Sequence, residues 1–118
     1  MKALLISAAI VIIAMMTPKD KLTGRWQTQP SENGNVTSVL FRTDNTFEGF
    51  VNKKSFATGE YNLQDSIFSF VDNGCNGQRG VYKVVFFNND DSLRLVPLVD
   101  KCEERKNGIS RMVLGKVK

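Results

Sequence analysis

Few side chains in this sequence are suited to chemistry, and their types narrow what it can do. His is absent, which removes the usual proton shuttle at neutral pH. There is no Gly-x-Ser-x-Gly elbow. The two Cys, Cys75 and Cys102, are expected to be oxidised, so no nucleophile with an activating base is visible. The acidic pairs Asp90-Asp91 and Glu103-Glu104 lack the alternate-residue oxygen ligands of a calcium loop. Neighbouring carboxylates at strand ends point apart, which suits turns and surface. In Asp100-x-Cys102-x-x-Arg105, Asp100 is expected to cap its loop or pair with Arg105. No catalytic residue, metal ligand or cofactor site is expected. Asn35-Val36-Thr37 fits a glycan acceptor, which has meaning only in a eukaryotic secretory route.

What remains is aromatic: eight Phe, two Tyr and the single Trp26. Phe41, Phe47, Tyr61, Phe70, Tyr82 and Phe86 occupy strand positions from which they would line a hydrophobic ligand cavity. The competing reading is that the same rings fill a narrow core. Trp26, two residues after Gly24, reads either as a pocket wall or as a plug at one end of the fold, with the plug preferred. Arg105 and Arg111 are the candidates to lie over its face, a cation–π contact on the order of 1 kcal/mol. Arg25 is adjacent in sequence and so points to the opposite face of a strand.

Positioning such rings requires strands. Beyond the N-terminal run, no segment of helical length carries apolar residues at three-and-four spacing, so no helix is predicted. Short apolar or alternating runs predict eight strands: Gly24–Gln29, Asn35–Arg42, Thr46–Val51, Ser55–Leu63, Ser66–Val71, Gly80–Phe87, Ser92–Val99 and Ile109–Val117. Turn residues separate them, and three longer loops (Pro30–Asn35, Asp72–Gln78, Lys101–Gly108) stand out. Several strands are apolar on both faces, which an open sheet facing water does not tolerate. Closing the meander into an eight-stranded antiparallel up-and-down barrel buries one face of every strand and removes the edges. A two-sheet sandwich competes, and the even meander spacing favours the barrel.

Met1-Lys2 and the apolar run Ala3–Met16, broken only by Ser7, have the layout of a secretory signal. The run is too short for a membrane crossing of about 20 residues. Residues 1–16 are therefore expected to be a signal segment and 17–118 the barrel domain, with an uncleaved anchor as the lesser alternative. No stable membrane span is expected after processing, and an extracytoplasmic location follows. Two Cys in a small exported domain predict a Cys75–Cys102 disulfide worth roughly 3–4 kcal/mol in the chain-entropy model. Two separate buried thiols are the alternative. The chain carries 16 Lys and Arg against 12 Asp and Glu, net +4. These charges are scattered rather than striped, which argues against a nucleic-acid partner.

Gly24-x-Trp26, Phe41-x-x-x-Asn45-x-Phe47, Gly59-x-Tyr61, Cys75, Gly80-x-Tyr82 and Leu93-x-Leu95-x-x-Leu98-Val99-Asp100-x-Cys102-x-x-Arg105 come in order along residues 22–117. Together they resemble the small exported bacterial lipocalin-like proteins of the calycin group. That resemblance implies an eight-stranded barrel whose end is closed by Trp26 after Gly24, with a cation, assigned to Arg105, packed on the ring. The chain has neither the C-terminal helix and deep loops of full-size lipocalins nor their Thr-Asp-Tyr signature. Avidin-like barrels also start with Gly-x-Trp but stack further Trp residues, absent here. Gly74-Cys75-Asn76 followed by Gly80-x-Tyr82 is similar to the META domain family, where the motif sits earlier in the domain.

The leading expectation is an exported, non-enzymatic barrel that binds a small hydrophobic or amphipathic molecule. The alternative is a filled-core barrel whose loops engage or inhibit a protein partner.

Overall fold

Alternating apolar and polar positions favour strands, because each strand can turn one face to a shared core and the other to water. The computed structural model describes residues 20–118; the signal segment expected at 1–16 lies outside the described residues. Eight strands follow in order: β1 (Gly24–Gln27), β2 (Thr37–Phe41), β3 (Thr46–Val51), β4 (Lys54–Gln64), β5 (Ile67–Asp72), β6 (Gly80–Phe87), β7 (Ser92–Val99) and β8 (Val113–Lys116). Each pairs antiparallel with its sequence neighbour and β8 closes on β1, giving a closed up-and-down barrel. The seam is short, with only Trp26 opposite Lys116 and Gln27 opposite Gly115. By contrast, β6 and β7 pair from Val81 to Phe87.

One face of each strand supplies the core. Phe41, Tyr61, Tyr82 and Val84 are buried, and Val39, Leu63 and Phe86 pack against them. Phe41 meets Tyr61 and Phe68 edge-on at 5.3 and 5.8 Å, and Phe68 stacks on Phe70 at 5.2 Å. Such offset and edge contacts add to area burial. One residue leaves the alternation. The register between β3 and β4 shifts at Gly49/Phe50, so Phe56 has no partner between Ser55 and Ala57. This bulge brings the Phe56 ring over Gly49, where an added Cβ would lie 3.2 Å from it.

The connection from β7 to β8 departs from expectation. Where a loop to Gly108 and a strand from Ile109 were predicted, the chain forms a helix, α1 (Glu103–Arg111), and β8 begins only at Val113. Ile109 is the one apolar residue of α1, and Gly108 is a poor helix former. Hydrophobic periodicity therefore carries no signal. The helix is held by tertiary ties: the Cys75–Cys102 disulfide at its N-cap, Arg105, and Ile109 against the core. Glu103 and Glu104 in its first turn and Arg111 in its last suit the helix dipole.

Candidate functional site

The antiparallel order sorts the connections into two barrel ends. At one lie residues 20–23 and the β2–β3, β4–β5 and β6–β7 turns; at the other lie the β1–β2, β3–β4 and β5–β6 loops and α1.

At the first end, Asp20 Oδ1 accepts the N–H groups of Leu22 and Thr23 and the Thr23 hydroxyl, which folds this segment into a turn. Gly24 follows with φ +128°, a conformation that disfavours any side chain. The Trp26 indole N–H then donates to the Leu22 carbonyl at 2.8 Å. Leu22 and Trp26 are 1% and 0% exposed, and Phe86 packs on the indole at 6.1 Å between centroids. The cation over Trp26 is Lys116, its Nζ 5.6 Å from the ring centroid. Arg105, expected there, lies at the opposite end of the barrel with its guanidinium 4.7 Å from the Phe70 centroid. Strand register explains the exchange: Lys116 stands directly across the seam from Trp26.

Beyond this plug the barrel is not filled. A cavity of about 570 Å³ reaches from Phe41 and Phe47 to a mouth formed by Phe56, Asp72, Asn73 and α1. That volume falls in the range of roughly 300–1,000 Å³ typical of small-molecule pockets. Of the six aromatic residues expected to contact a ligand, Phe41, Phe47 and Phe70 line the space. The other three are taken up elsewhere. Tyr61 packs behind Phe41 and Phe68 and sends its hydroxyl to Asp20. Tyr82 is fully buried and donates to Asp100. Phe86 is spent on the plug. Val39, Phe56, Phe68, Leu95, Ile109 and Met112 complete the apolar wall.

The mouth is held by a buried ionic latch. Arg105 Nε and Nη2 donate to Asp100 Oδ2 and Oδ1 at 2.9 and 2.8 Å, and Nη2 also donates to the Gln78 carbonyl at 3.0 Å. Arg105 Nη1 reaches Asp72 Oδ1 at 3.4 Å. The side chains of Arg105 and Asp100 are 7% and 0% exposed. Burial opposes ionisation of Asp100, but hydrogen bonds from Arg105, Tyr82 and the Cys102 N–H prevail and hold its carboxyl below the ordinary value. Hydrogen bonding to Asp100 raises Arg105 in turn. Gly80 makes room for the latch: a Cβ there would lie 2.9 Å from the Phe70 ring and 3.1 Å from both Arg105 Nη2 and Asp100 Oδ2. The disulfide joins this group to the β5–β6 loop, with both Cys bordering the cavity.

A second, more polar groove of about 620 Å³ runs outside the barrel along the β1–β8 seam, past Thr28, Asn35 and Arg111. Thr37, Gly108 and Met112 border both spaces. Among the described residues no group of His, Cys, Asp or Glu is arranged to hold a metal ion, and no helix is long and apolar enough to cross a membrane. No protein-family model matches the chain, nor does any curated protein.

Sequence reasoning paired Asp100 with Arg105 as one option but did not connect Asp72, Gln78 or Tyr82 to them. The one available signal was Gly80-x-Tyr82, a small residue beside an aromatic hydroxyl. Phe56 was missed because alternation places it on the outer face; the bulge carries its ring over Gly49 to the mouth, where it stays exposed.

Proposed function

We propose that this protein is an exported lipocalin-like barrel that binds a small hydrophobic or amphipathic molecule in its interior, without catalysing a reaction on it. The observation that carries this reading is the apolar cavity of about 570 Å³ open at the α1 end. Removing an apolar ligand from water there is favourable by roughly 25 cal/mol per Å² buried. The ordered motifs from Gly24-x-Trp26 to Arg105 support the lipocalin-like assignment. The disulfide fits an oxidising compartment outside the cytoplasm. Arg105, the one cation bordering the cavity among the described residues, is held by Asp100, which suits a binder.

A neutral naphthylamine dye that brightens in apolar surroundings tests the proposal. Uptake should saturate at one dye per barrel, and Val39→Trp, which fills the cavity from its wall, should weaken it by about tenfold or more. Absence of saturable uptake, or uptake indifferent to Val39→Trp, would refute it.

A further inference from the structure

We infer that the cavity selects ligands whose polar end is cationic, such as a protonated amine on an apolar body. This rests on the ligand-binding reading above and adds the sign of charge to it.

The charged side chains that border the cavity are Asp72, Glu104 and Arg105. Arg105 is already committed: Asp100 takes two of its donors, Gln78 a third, and Phe70 covers its face. Asp100 and Asp72 both contact its guanidinium, and Glu104 adds a second carboxylate to the cavity border. Asp72 is the carboxylate left short. Its Oδ1 accepts the Gly74 N–H at 2.9 Å and the longer contact from Arg105 at 3.4 Å, while its Oδ2 takes no hydrogen bond among the described residues. The Asp72 side chain is 12% exposed, and what exposure it has includes its unpartnered Oδ2. A carboxylate oxygen without a protein partner at the rim of an apolar cavity favours a ligand that brings a positive charge or strong donors to it. Phe47, Phe56, Phe68 and Phe70 border the same space, and ring faces attract cations further.

The chain as a whole carries net +4, so non-specific attraction would favour anions instead. Lys53, Lys54, Lys101 and Lys106 belong to the same end of the barrel but do not border the cavity. Lys53, Lys54 and Lys101 stand in water and Lys106 pairs with Glu103, which weakens their pull on a charge inside the cavity. The site therefore predicts an order of affinity opposite to that of the protein's overall charge. Arg111, in the seam groove, is where an anionic end would go.

The test titrates the protein with dodecylamine, dodecanol and dodecanoate, below their micelle concentrations, by calorimetry. Dodecylamine should bind best, at least about tenfold tighter than dodecanoate, with dodecanol between. Asp72→Asn and Glu104→Gln should each shrink the amine's advantage over dodecanol. Glu104 is exposed on α1, so its variant stays informative even if Asp72→Asn does not fold. Equal affinity for the three compounds would overturn the charge preference and leave the ligand-binding reading standing. So would an amine preference untouched by either variant, or a dodecanoate preference abolished by Arg111→Gln. If none of the three binds, the ligand-binding reading falls, and the inference with it.

Discussion

The two ends of this barrel are closed by opposite means. At the Trp26 end, Leu22, Trp26 and Phe86 fill the volume, and two ion pairs lie at the periphery, Lys21–Asp90 at 3.2 Å and Lys118–Asp91 at 2.9 Å, all four side chains about half exposed or more. Exposed pairs of that kind contribute about 0–1 kcal/mol. At the α1 end the ion pair is buried, directional and covalently reinforced, and the volume beside it is open. A plug stabilises by occupying space and so leaves none for a ligand. A latch fixes a lid through a few aimed contacts and can leave a cavity under it. The difference separates the end filled by side chains from the end where the proposed binding would take place.

The sharpest way to break this comparison is to remove the key residue of each end. Arg105→Ala leaves Asp100 charged, buried and unpaired, a loss expected to cost about 3–5 kcal/mol. Trp26→Ala opens a core cavity and is expected to cost a similar 3–5 kcal/mol or so. Because the two sites share no partner, the double variant should lose the sum to within about 0.5 kcal/mol in denaturant unfolding. A large departure from additivity would mean that the ends act as one unit. Replacing the pair together, Arg105→Met with Asp100→Asn, should recover much of the single-variant loss, since apolar or neutral substitutes often match a buried ion pair.

Removing the disulfide by Cys75→Ser with Cys102→Ser is a smaller perturbation, about 3–4 kcal/mol in the chain-entropy model. Its signature should be local. Amide hydrogen exchange should accelerate in α1 and the β5–β6 loop and stay slow in β1 and around Trp26. Uniform acceleration would show that the disulfide supports the whole barrel rather than the latch.

The same contrast explains what the sequence disclosed. Strand order, closure and the inward faces were legible because Thr37-Val39-Phe41 or Tyr82-Val84-Phe86 repeat at the strand period, and turn residues separate such runs. The plug was legible in part: Gly24 and Trp26 announce it, but its cation, Lys116, arrives through the register of β8 and not through any motif. The α1 end was the least legible. A helix with one apolar residue has no period to detect, and besides the nearby Asp100 it is tied to Asp72 and Gln78, 33 and 27 residues from Arg105 in the chain. Phe56 reaches the mouth through a bulge, a one-residue shift that alternation cannot foresee.

The smallest expected effect separates the ends by pH. Burial and the negative charge of Asp20 push the Tyr61 hydroxyl from 10.0 up to about 12. At the other end, burial and the hydrogen bond to Asp100 raise Tyr82 further still, although Arg105 pulls it partly back. In each case the folded value lies above the unfolded one. The contribution to stability is then complete below pH 10.0 and is lost as pH rises through the folded value, because the unfolded chain ionises first. For Tyr61 that window runs from 10.0 to about 12. Alkali should therefore loosen the Trp26 end before it reaches the latch. Acid acts in reverse: the depressed Asp100 stabilises above its unfolded value of about 3.8 and loses that contribution as pH falls through its folded value, loosening the α1 end. Phenolate absorbance in the folded protein should show two tyrosine transitions, and Tyr61→Phe should delete the lower. If Tyr82 ionised first, the latch would be the wetter of the two ends, and the assignment of plug and mouth would have to be exchanged.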